Sequence, residues 1–218
     1  MSQERLSEQL ATAGRVLAQT GLVTAFGHVS ARLDAGTLVI TPPRPPGRLG
    51  PGPYPLLPVR AGELPPDVPR EAWIHTAIAA ARPDVGAVCR AQPPSVAAAS
   101  AAGFSLVPLH GQGALLGGCV PVHKDARLVR QPAMGRALAD ALGDGFACVL
   151  KGNGAVTVGA TVGEAVARMW ILAETSRITL LAACCGGIPL PLSPDEQKAW
   201  AATGPELLER IWQYLSTS

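Results

Sequence analysis

The chain has 218 residues, of which 48% are hydrophobic and 16% charged. This size and composition fit one large domain with a sizeable core and exclude disorder of the whole chain. The formal net charge is only +2 and aromatic residues make up 4%, which argues against nucleic-acid binding by charge or by base stacking. No apolar run reaches the ~18 residues needed to span a bilayer, so we expect no membrane partner.

The five cysteines and the N-terminus indicate the cellular compartment. Five is an odd number and no two cysteines form a CxxC pair, which argues against a zinc finger or a disulfide framework. Each cysteine lies in an apolar stretch, so we expect five buried thiols. The first ten residues are polar and charged, unlike a secretory signal. We therefore expect a reduced, cytoplasmic protein.

Hydrophobic periodicity predicts an N-terminal helix over 3–20, followed by a strand at 28–33 and a second strand at 37–41. The segment 42–69 then holds eleven prolines. Proline has no amide hydrogen and a fixed φ, so this segment is predicted to be a loop without strand pairing or helix.

The rest of the chain alternates between segments with helical periodicity and segments with strand periodicity. Capping boxes at Thr161 and Ser193 open a long helix that ends near Cys185 and a C-terminal helix at about 194–215. The other predicted elements are helices at 70–82, 95–102 and 131–142 and strands at 85–91, 106–109, 119–122, 146–150 and 155–158. Several neighbouring strands have hairpin-length connections, which favours an α/β fold with a mixed sheet over a purely parallel one.

Four short blocks, in this order and spacing, resemble the class II aldolase/adducin family from about residue 5 to residue 185. They are G-H-V-S-A-R at Gly27–Arg32, E-A-W-I-H at Glu71–His75, R-P-D-V-G-A-V at Arg82–Val88 and K-G-N-G at Lys151–Gly154. The pattern L-G-D-G at Leu142–Gly145, continuing to Glu164 and Ala165, is similar to the branch that contains aromatic-acid decarboxylases.

The resemblance implies a three-layer α/β/α sandwich around a mostly antiparallel central sheet, here a single domain spanning 1–218, usually assembled as a homotetramer. Enzymes of this family hold a divalent metal, mostly zinc, with three histidines, and a nearby glutamate acts as acid and base. They perform retro-aldol cleavage, epimerisation, dehydration and decarboxylation. Adducin heads keep the fold without catalysis.

This sequence differs from the family at all three metal ligands, where Arg90, Gln92 and Asn153 replace the histidines. A guanidinium has no lone pair to offer a metal, and amides are poor zinc ligands. We therefore expect no zinc and no other cofactor. The family's acidic residue is retained as Glu71.

The replaced ligands suggest a metal-free site. In this hypothesis Arg90 holds an anion, Gln92 and Asn153 orient it, and Glu71 is the acid and base. His75, four residues after Glu71 on the predicted helix, would relay a proton. The alternative is an Arg90–Glu71 ion pair that fills a dead metal pocket.

Further candidates surround this set. His28, with Ser30, lies where the resemblance places an anion-binding strand, and it contacts a substrate carboxylate or phenol or is a hydrogen-bonded sheet histidine. Thr41 and Arg70, together with Arg44, are candidate substrate-binding residues, although plain solvated charge is the alternative for these arginines.

His110 opens a glycine-rich loop that, by the same resemblance, approaches the site. His110 is therefore a candidate replacement acid or base. A metal site rebuilt from His28, His110 or His123 is the alternative for these histidines. No P-loop and no G-x-S-x-G motif is present in the sequence.

Three functions remain open from the sequence. The first is a lyase that decarboxylates or cleaves a small hydroxylated, aromatic or keto carboxylic acid without zinc. The second is an isomerase or dehydratase using the same pocket, and the third is a non-catalytic, adducin-like oligomeric module. A small carboxylate substrate and a homo-oligomer are the expected partners.

Overall fold

The computed structural model describes residues 1–186 and 188–217. Within these ranges a seven-stranded sheet has the order β3-β2-β1-β4-β7-β6-β5. Its strands are β1 (His28–Arg32), β2 (Thr37–Ile40), β3 (Leu56–Pro58), β4 (Ala87–Ala91), β5 (Val122–His123), β6 (Ala147–Leu150) and β7 (Ala155–Gly159). Only the β5–β6 pair is parallel among the described strands, so the prediction of a mixed, mostly antiparallel sheet is confirmed.

Helices cover both faces of this sheet. They are α1 (Gln3–Gln19), α2 (Trp73–Ala81), α3 (Pro94–Ala101), α4 (Pro132–Leu142), α5 (Val162–Cys184), α6 (Pro194–Ala202) and α7 (Gly204–Ser216). Side chains alternate along β4, so Cys89 packs into the core beneath α1, α3 and α5, whereas Val88 packs into the core beneath α2 and α4. The α/β/α sandwich is thereby confirmed.

Local capping chemistry fixes two of the helix starts. The Thr161 hydroxyl accepts from the Glu164 amide at the start of α5, and Ser193 and Glu196 form a complete capping box at the start of α6. None of the described helices is long and apolar enough to cross a bilayer.

The proline-rich segment is not wholly irregular, contrary to the sequence prediction. Leu56–Pro58 forms β3, in which Leu57 pairs with Leu38 of β2 and is fully buried. An edge strand of three residues tolerates proline because only one of its sides is paired. A 3₁₀ turn at Pro46–Arg48 lies in the same segment.

Other elements also differ from the prediction. The C-terminal helix is divided into α6 and α7 near Gly204 and Pro205, because proline cannot continue the preceding helix. Residues 106–109 form no strand, and the strand expected at 119–122 is reduced to β5. Helix α2 begins at Trp73, so Glu71 lies in the turn before it.

The expectation of five buried thiols holds for two of the cysteines. Cys89 and Cys148 lie in the sheet and are buried, whereas Cys119, Cys184 and Cys185 are exposed. Cys184 and Cys185 fall at the end of α5, after Thr179, the last buried residue of that helix. Their apolar sequence neighbours therefore do not predict burial.

Close packing between α2 and α4 depends on Gly135. A methyl group at this position would overlap the backbone carbonyl of Trp73. Alanine in a helix is normally favoured over glycine by about 1 kcal/mol. We nevertheless expect Gly135→Ala to lower the free energy of unfolding by about 1–3 kcal/mol, because the overlap is with backbone.

Urea unfolding measures this change. Gly118→Ala is the matched control, because a methyl group there meets open space, and we expect it to stay within about 0.5 kcal/mol of the unsubstituted chain. Equal stability of the two variants would contradict the proposed packing of α2 on α4.

Candidate active site

The side chain of Arg90 is the centre of a buried polar network. Arg90 lies on β4 and is 1% exposed. Its Nη2 lies 3.2 Å from Glu71 Oε2 and donates a hydrogen bond of 2.7 Å to Asn153 Oδ1. The turn before α2 supplies Glu71 and the β6–β7 turn supplies Asn153, so residues far apart in the sequence meet at one end of β4.

Further hydrogen bonds hold the same carboxylate and amide. Gln92 Nε2 donates to Asn153 Oδ1 at 2.8 Å, and Asn153 Nδ2 donates to Glu71 Oε1 at 3.3 Å. The backbone amide of Val129 also donates to Glu71 Oε1, at 3.2 Å. The structure thus brings together four predicted residues, the catalytic candidates Glu71 and Arg90 and the substrate-binding candidates Gln92 and Asn153, whose roles stay predictions.

Arg90 keeps unused hydrogen-bonding capacity. Its Nε and Nη1 atoms are buried and have no hydrogen-bond partner within residues 1–186 and 188–217. Leaving a buried donor unpaired costs about 1–3 kcal/mol. Burial also lowers the pKa of Arg90, an effect that Glu71 and Cys89 oppose. An anion bound beside this guanidinium would offset the burial of its positive charge.

A pocket of about 700 Å³ opens over the network. Four arginines line it, namely Arg44, Arg70, Arg90 and Arg130, and among its described lining residues Glu71 is the only acidic one. The volume lies in the range of small-molecule sites. The excess of arginine favours an acidic ligand.

Apolar side chains complete the pocket wall, including Phe26 and Leu128, which are 70% and 42% exposed. Sequence reasoning anticipates Arg44 and Arg70 in this region but misses Arg130 and the amide of Val129. Residues 124–131 form no regular element, so no periodicity points to them.

A second buried cluster adjoins Arg90. His28 Nδ1 lies 2.6 Å from His75 Nε2, and His75 Nδ1 lies 2.7 Å from the Ser30 hydroxyl. His28 also lines the pocket. Burial, followed by the charge of Arg90, lowers the pKa of His75 to about 3. Burial, then His75 and Arg90, lowers the pKa of His28 well below its usual value. Both imidazoles are therefore neutral near pH 7.

The expected relay between Glu71 and His75 is not formed. Glu71 precedes α2, so the two residues do not share a helix face, and both ring nitrogens of His75 are engaged by His28 and Ser30. Ser30, a predicted substrate-binding residue, does not line the pocket because it lies beneath His75 and is fully buried.

Two other candidates lie outside the pocket. Thr41 is buried, its hydroxyl accepts a hydrogen bond from the Val29 amide, and it does not line the pocket, so its contact with substrate stays a prediction. His110 does not line the pocket of the single chain, and its Nε2 lies 3.0 Å from the Thr175 hydroxyl.

The donors at the family's metal position do not fit zinc. The Arg90 guanidinium has no lone pair, and Asn153 Oδ1 already accepts from Arg90 and Gln92. Over the described parts of the chain, no three His, Cys, Asp or Glu side chains are grouped in a way that could hold a metal ion elsewhere.

Comparison with known proteins agrees with this geometry. The profile of the Class II Aldolase and Adducin N-terminal domain matches residues 8–180, and the chain belongs to this family. The solved l-fuculose-1-phosphate aldolase from Thermus thermophilus superposes with a TM-score of 0.76 at 27% identity, covering 86% of this chain and 99% of that one. The predicted family and fold are thereby confirmed.

Two curated relatives carry the same name. The chain is 35% identical over 125 residues to 3,4-dihydroxyphthalate decarboxylase of Rhodococcus jostii (strain RHA1), covering 55% of this chain and 51% of that protein. It is 31% identical to 3,4-dihydroxyphthalate decarboxylase of Terrabacter sp. (strain DBF63), covering 94% of this chain and 93% of that protein. The first match thus spans about half the length of its relative.

The neutral histidines make the stability depend on pH. The pKa of His75 is about 3 in the folded chain and 6.5 as an unperturbed side chain, so the unfolded state binds the extra proton. The contribution of the neutral His75 to the free energy of unfolding is therefore present above about pH 6.5 and is lost as the pH falls from 6.5 toward 3. We expect this one group to lower the free energy of unfolding by about 2 kcal/mol between pH 7 and pH 5.

Urea unfolding of the unsubstituted chain and of His75→Gln, at several pH values, measures this contribution. The loss of stability between pH 7 and pH 5 should be smaller in His75→Gln. The two curves should run parallel between pH 7 and pH 9, which serves as the internal control. Parallel curves down to pH 5 would show that His75 is protonated in the folded chain.

Proposed function

We propose that this protein is a carbon–carbon lyase that decarboxylates a small hydroxylated aromatic carboxylic acid. The observation that carries the proposal is a buried guanidinium with unpaired donors beside a carboxylate, at the floor of an open pocket lined by four arginines. Two relatives named as decarboxylases of a dihydroxylated aromatic acid support the same reaction. A non-catalytic module with a dead ion pair would have no reason to keep this pocket open.

The proposed mechanism uses Arg90 to bind an acidic group of the substrate. Charge-assisted hydrogen bonds from guanidinium to carboxylate are roughly twice as strong as neutral ones. The arginines at the mouth, Arg44, Arg70 and Arg130, attract the acid and contact a second carboxylate where the substrate has one. Phe26 and Leu128 offer apolar surface to the ring.

Glu71 moves the proton in this mechanism. Its carboxylate takes the proton of a ring hydroxyl and gives it to the ring carbon that bears the leaving carboxylate. The carbon–carbon bond then breaks, its electron pair returns to the ring, and carbon dioxide leaves. The product is the decarboxylated phenolate, which takes a proton from water. Asn153 and the Val129 amide hold Glu71 in place for both transfers.

Decarboxylation of 3,4-dihydroxyphthalate tests the role of Glu71. We expect Glu71→Gln to lower kcat by about 10²-fold or more, because an amide cannot transfer the proton. The exposed Glu63→Gln is the matched control and should keep full activity. Full activity of Glu71→Gln would show that Glu71 does not transfer the proton in this reaction.

We further propose that the reaction needs no zinc, since Arg90 supplies the fixed positive charge. The positive charge of a guanidinium is permanent, so it can stabilise the substrate carboxylate or the developing oxyanion directly. A metal ion would first need deprotonated protein ligands to hold it. Elemental analysis of the purified protein and an assay in the presence of a chelator test this step. Stoichiometric zinc that is lost together with activity would contradict it.

Restoring the histidines tests the position of the site. We expect the triple variant Arg90→His, Gln92→His and Asn153→His to bind about one zinc per chain, because three imidazoles then converge where Arg90 and Asn153 now meet. Gln92→His alone is the control and should bind no zinc. A triple variant that folds without binding zinc would show that these side chains do not share the family's metal position.

The family resemblance also leads us to propose a homotetramer. Exposed apolar side chains, such as Ile188 and Leu190 at 87% and 82%, agree with a surface that meets another chain. Light scattering should then give a mass of about 90 kDa, four times the 22.4 kDa of one chain. A mass near that of one chain would contradict the proposal.

A further inference from the structure

We propose that His28 selects substrates by their ring hydroxyl, as a neutral hydrogen-bonding partner held in place by His75 and Ser30. This inference rests on the proposed function, since it concerns the acid that the same pocket takes. It assigns separate parts of the substrate to two neighbouring side chains, the carboxylate to Arg90 and the adjacent hydroxyl to His28.

The register of the sheet places the two anchors side by side. His28 on β1 is the direct partner of Arg90 on β4, so both side chains project from the same face of the sheet. Neighbouring strands lie about 4.8 Å apart, so the two side chains start close enough together to contact different groups of one small ligand. Both residues line the pocket, so one ligand can contact both.

The contacts of His75 determine which atom of His28 faces a ligand. The Nδ1 atom of His28 is engaged by His75, and its Nε2 makes no hydrogen bond with the described residues. If the Ser30 hydroxyl donates to His75, then His75 donates to His28, and the free Nε2 carries a hydrogen. If these two hydrogen bonds run in the opposite direction, from His28 to His75 and from His75 to Ser30, the Nε2 atom of His28 is an acceptor. The nitrogen without a partner among the described residues is Nε2 in both cases.

A hydroxyl suits either arrangement, because it both donates and accepts hydrogen bonds, whereas a carboxylate only accepts. The lowered pKa of His28 keeps its ring uncharged beside Arg90, so it offers an anion no Coulomb attraction. The four arginines that line the pocket, Arg44, Arg70, Arg90 and Arg130, remain for the carboxylates. His28 therefore distinguishes a hydroxylated acid from the same acid without the hydroxyl.

Equilibrium binding of two probes tests the inference, phthalate and 3-hydroxyphthalate, with dissociation constants measured by calorimetry. A site built to bond a hydroxyl rejects the analogue that lacks it, because its own polar group is then left unpaired. We expect the unsubstituted chain to bind 3-hydroxyphthalate at least about tenfold more tightly than phthalate.

Two substitutions separate recognition from structure. In His28→Phe, which keeps a ring but loses the hydrogen bond, the ratio of the two constants should fall to near one, with phthalate affinity changed less than about threefold. In His28→Gln, which keeps a donor and an acceptor, the ratio should lie in between. An unchanged ratio in a folded His28→Phe, or an equal loss of affinity for both acids, would overturn the inference.

Ser30→Ala provides a test that leaves His28 itself intact. It removes the outer hydrogen bond of His75, so we expect a smaller fall in the ratio, of about threefold. A ratio above that of the unsubstituted chain would contradict the proposed support of His28.

The outcome is separable from that of the proposed function. Binding requires no turnover, so a chain that binds with the expected ratio but releases no carbon dioxide would refute the lyase and keep the role of His28. A chain that decarboxylates while showing no preference for the hydroxyl would keep the lyase and refute the role of His28. If neither acid binds the unsubstituted chain, both proposals fail.

Discussion

The ion pair between Arg90 and Glu71 constrains the whole site. A guanidinium that is 1% exposed loses its hydration, which is a penalty of several kcal/mol per ion, and an uncompensated buried charge is strongly destabilising. Glu71 at 3.2 Å and Asn153 at 2.7 Å compensate only one of its three nitrogens. The positions of Gln92 and the Val129 amide follow, because each bonds to a partner of Arg90. The pocket that opens over this network, with three further arginines in its wall, makes the network a candidate binding site.

Backbone geometry brings the residues of this network together independently of their side chains. Gly154 has a φ of +79°, and a side chain there would overlap the carbonyl of Ala91, so the β6–β7 turn lies directly against the end of β4. That contact brings Asn153 beside Arg90 whatever the two side chains are. The register of β1 against β4 likewise fixes His28 opposite Arg90. The fold therefore does not depend on three histidines at these positions.

The extent of sequence prediction follows from the range of the interactions. The helix start at Ser193 and the strand at His28 can be predicted, because caps and alternation are local. Strand β3 was not predictable, because it pairs over only three residues and lies in a proline-rich segment that favours a loop. Arg90 and Asn153 are 63 residues apart, and no local pattern joins them, so only the family resemblance anticipates their meeting. The His28–His75 contact, across 47 residues, has no such guide.

The charge of Arg90 acts both on the pocket and on the histidine pair, His28 and His75. The charge of Arg90 favours acids in the pocket and, together with burial, disfavours a second cation at His28 and His75. A positively charged His28 would compete with Arg90 for the carboxylate and leave the orientation of the substrate undetermined. In the proposed binding mode the imidazoles are neutral, so Arg90 would be the anchor of the carboxylate on the pocket floor and His28 the anchor of the hydroxyl. In the proposed reaction, Glu71 beside Arg90 would take the proton of that hydroxyl and give it to the ring carbon next to it.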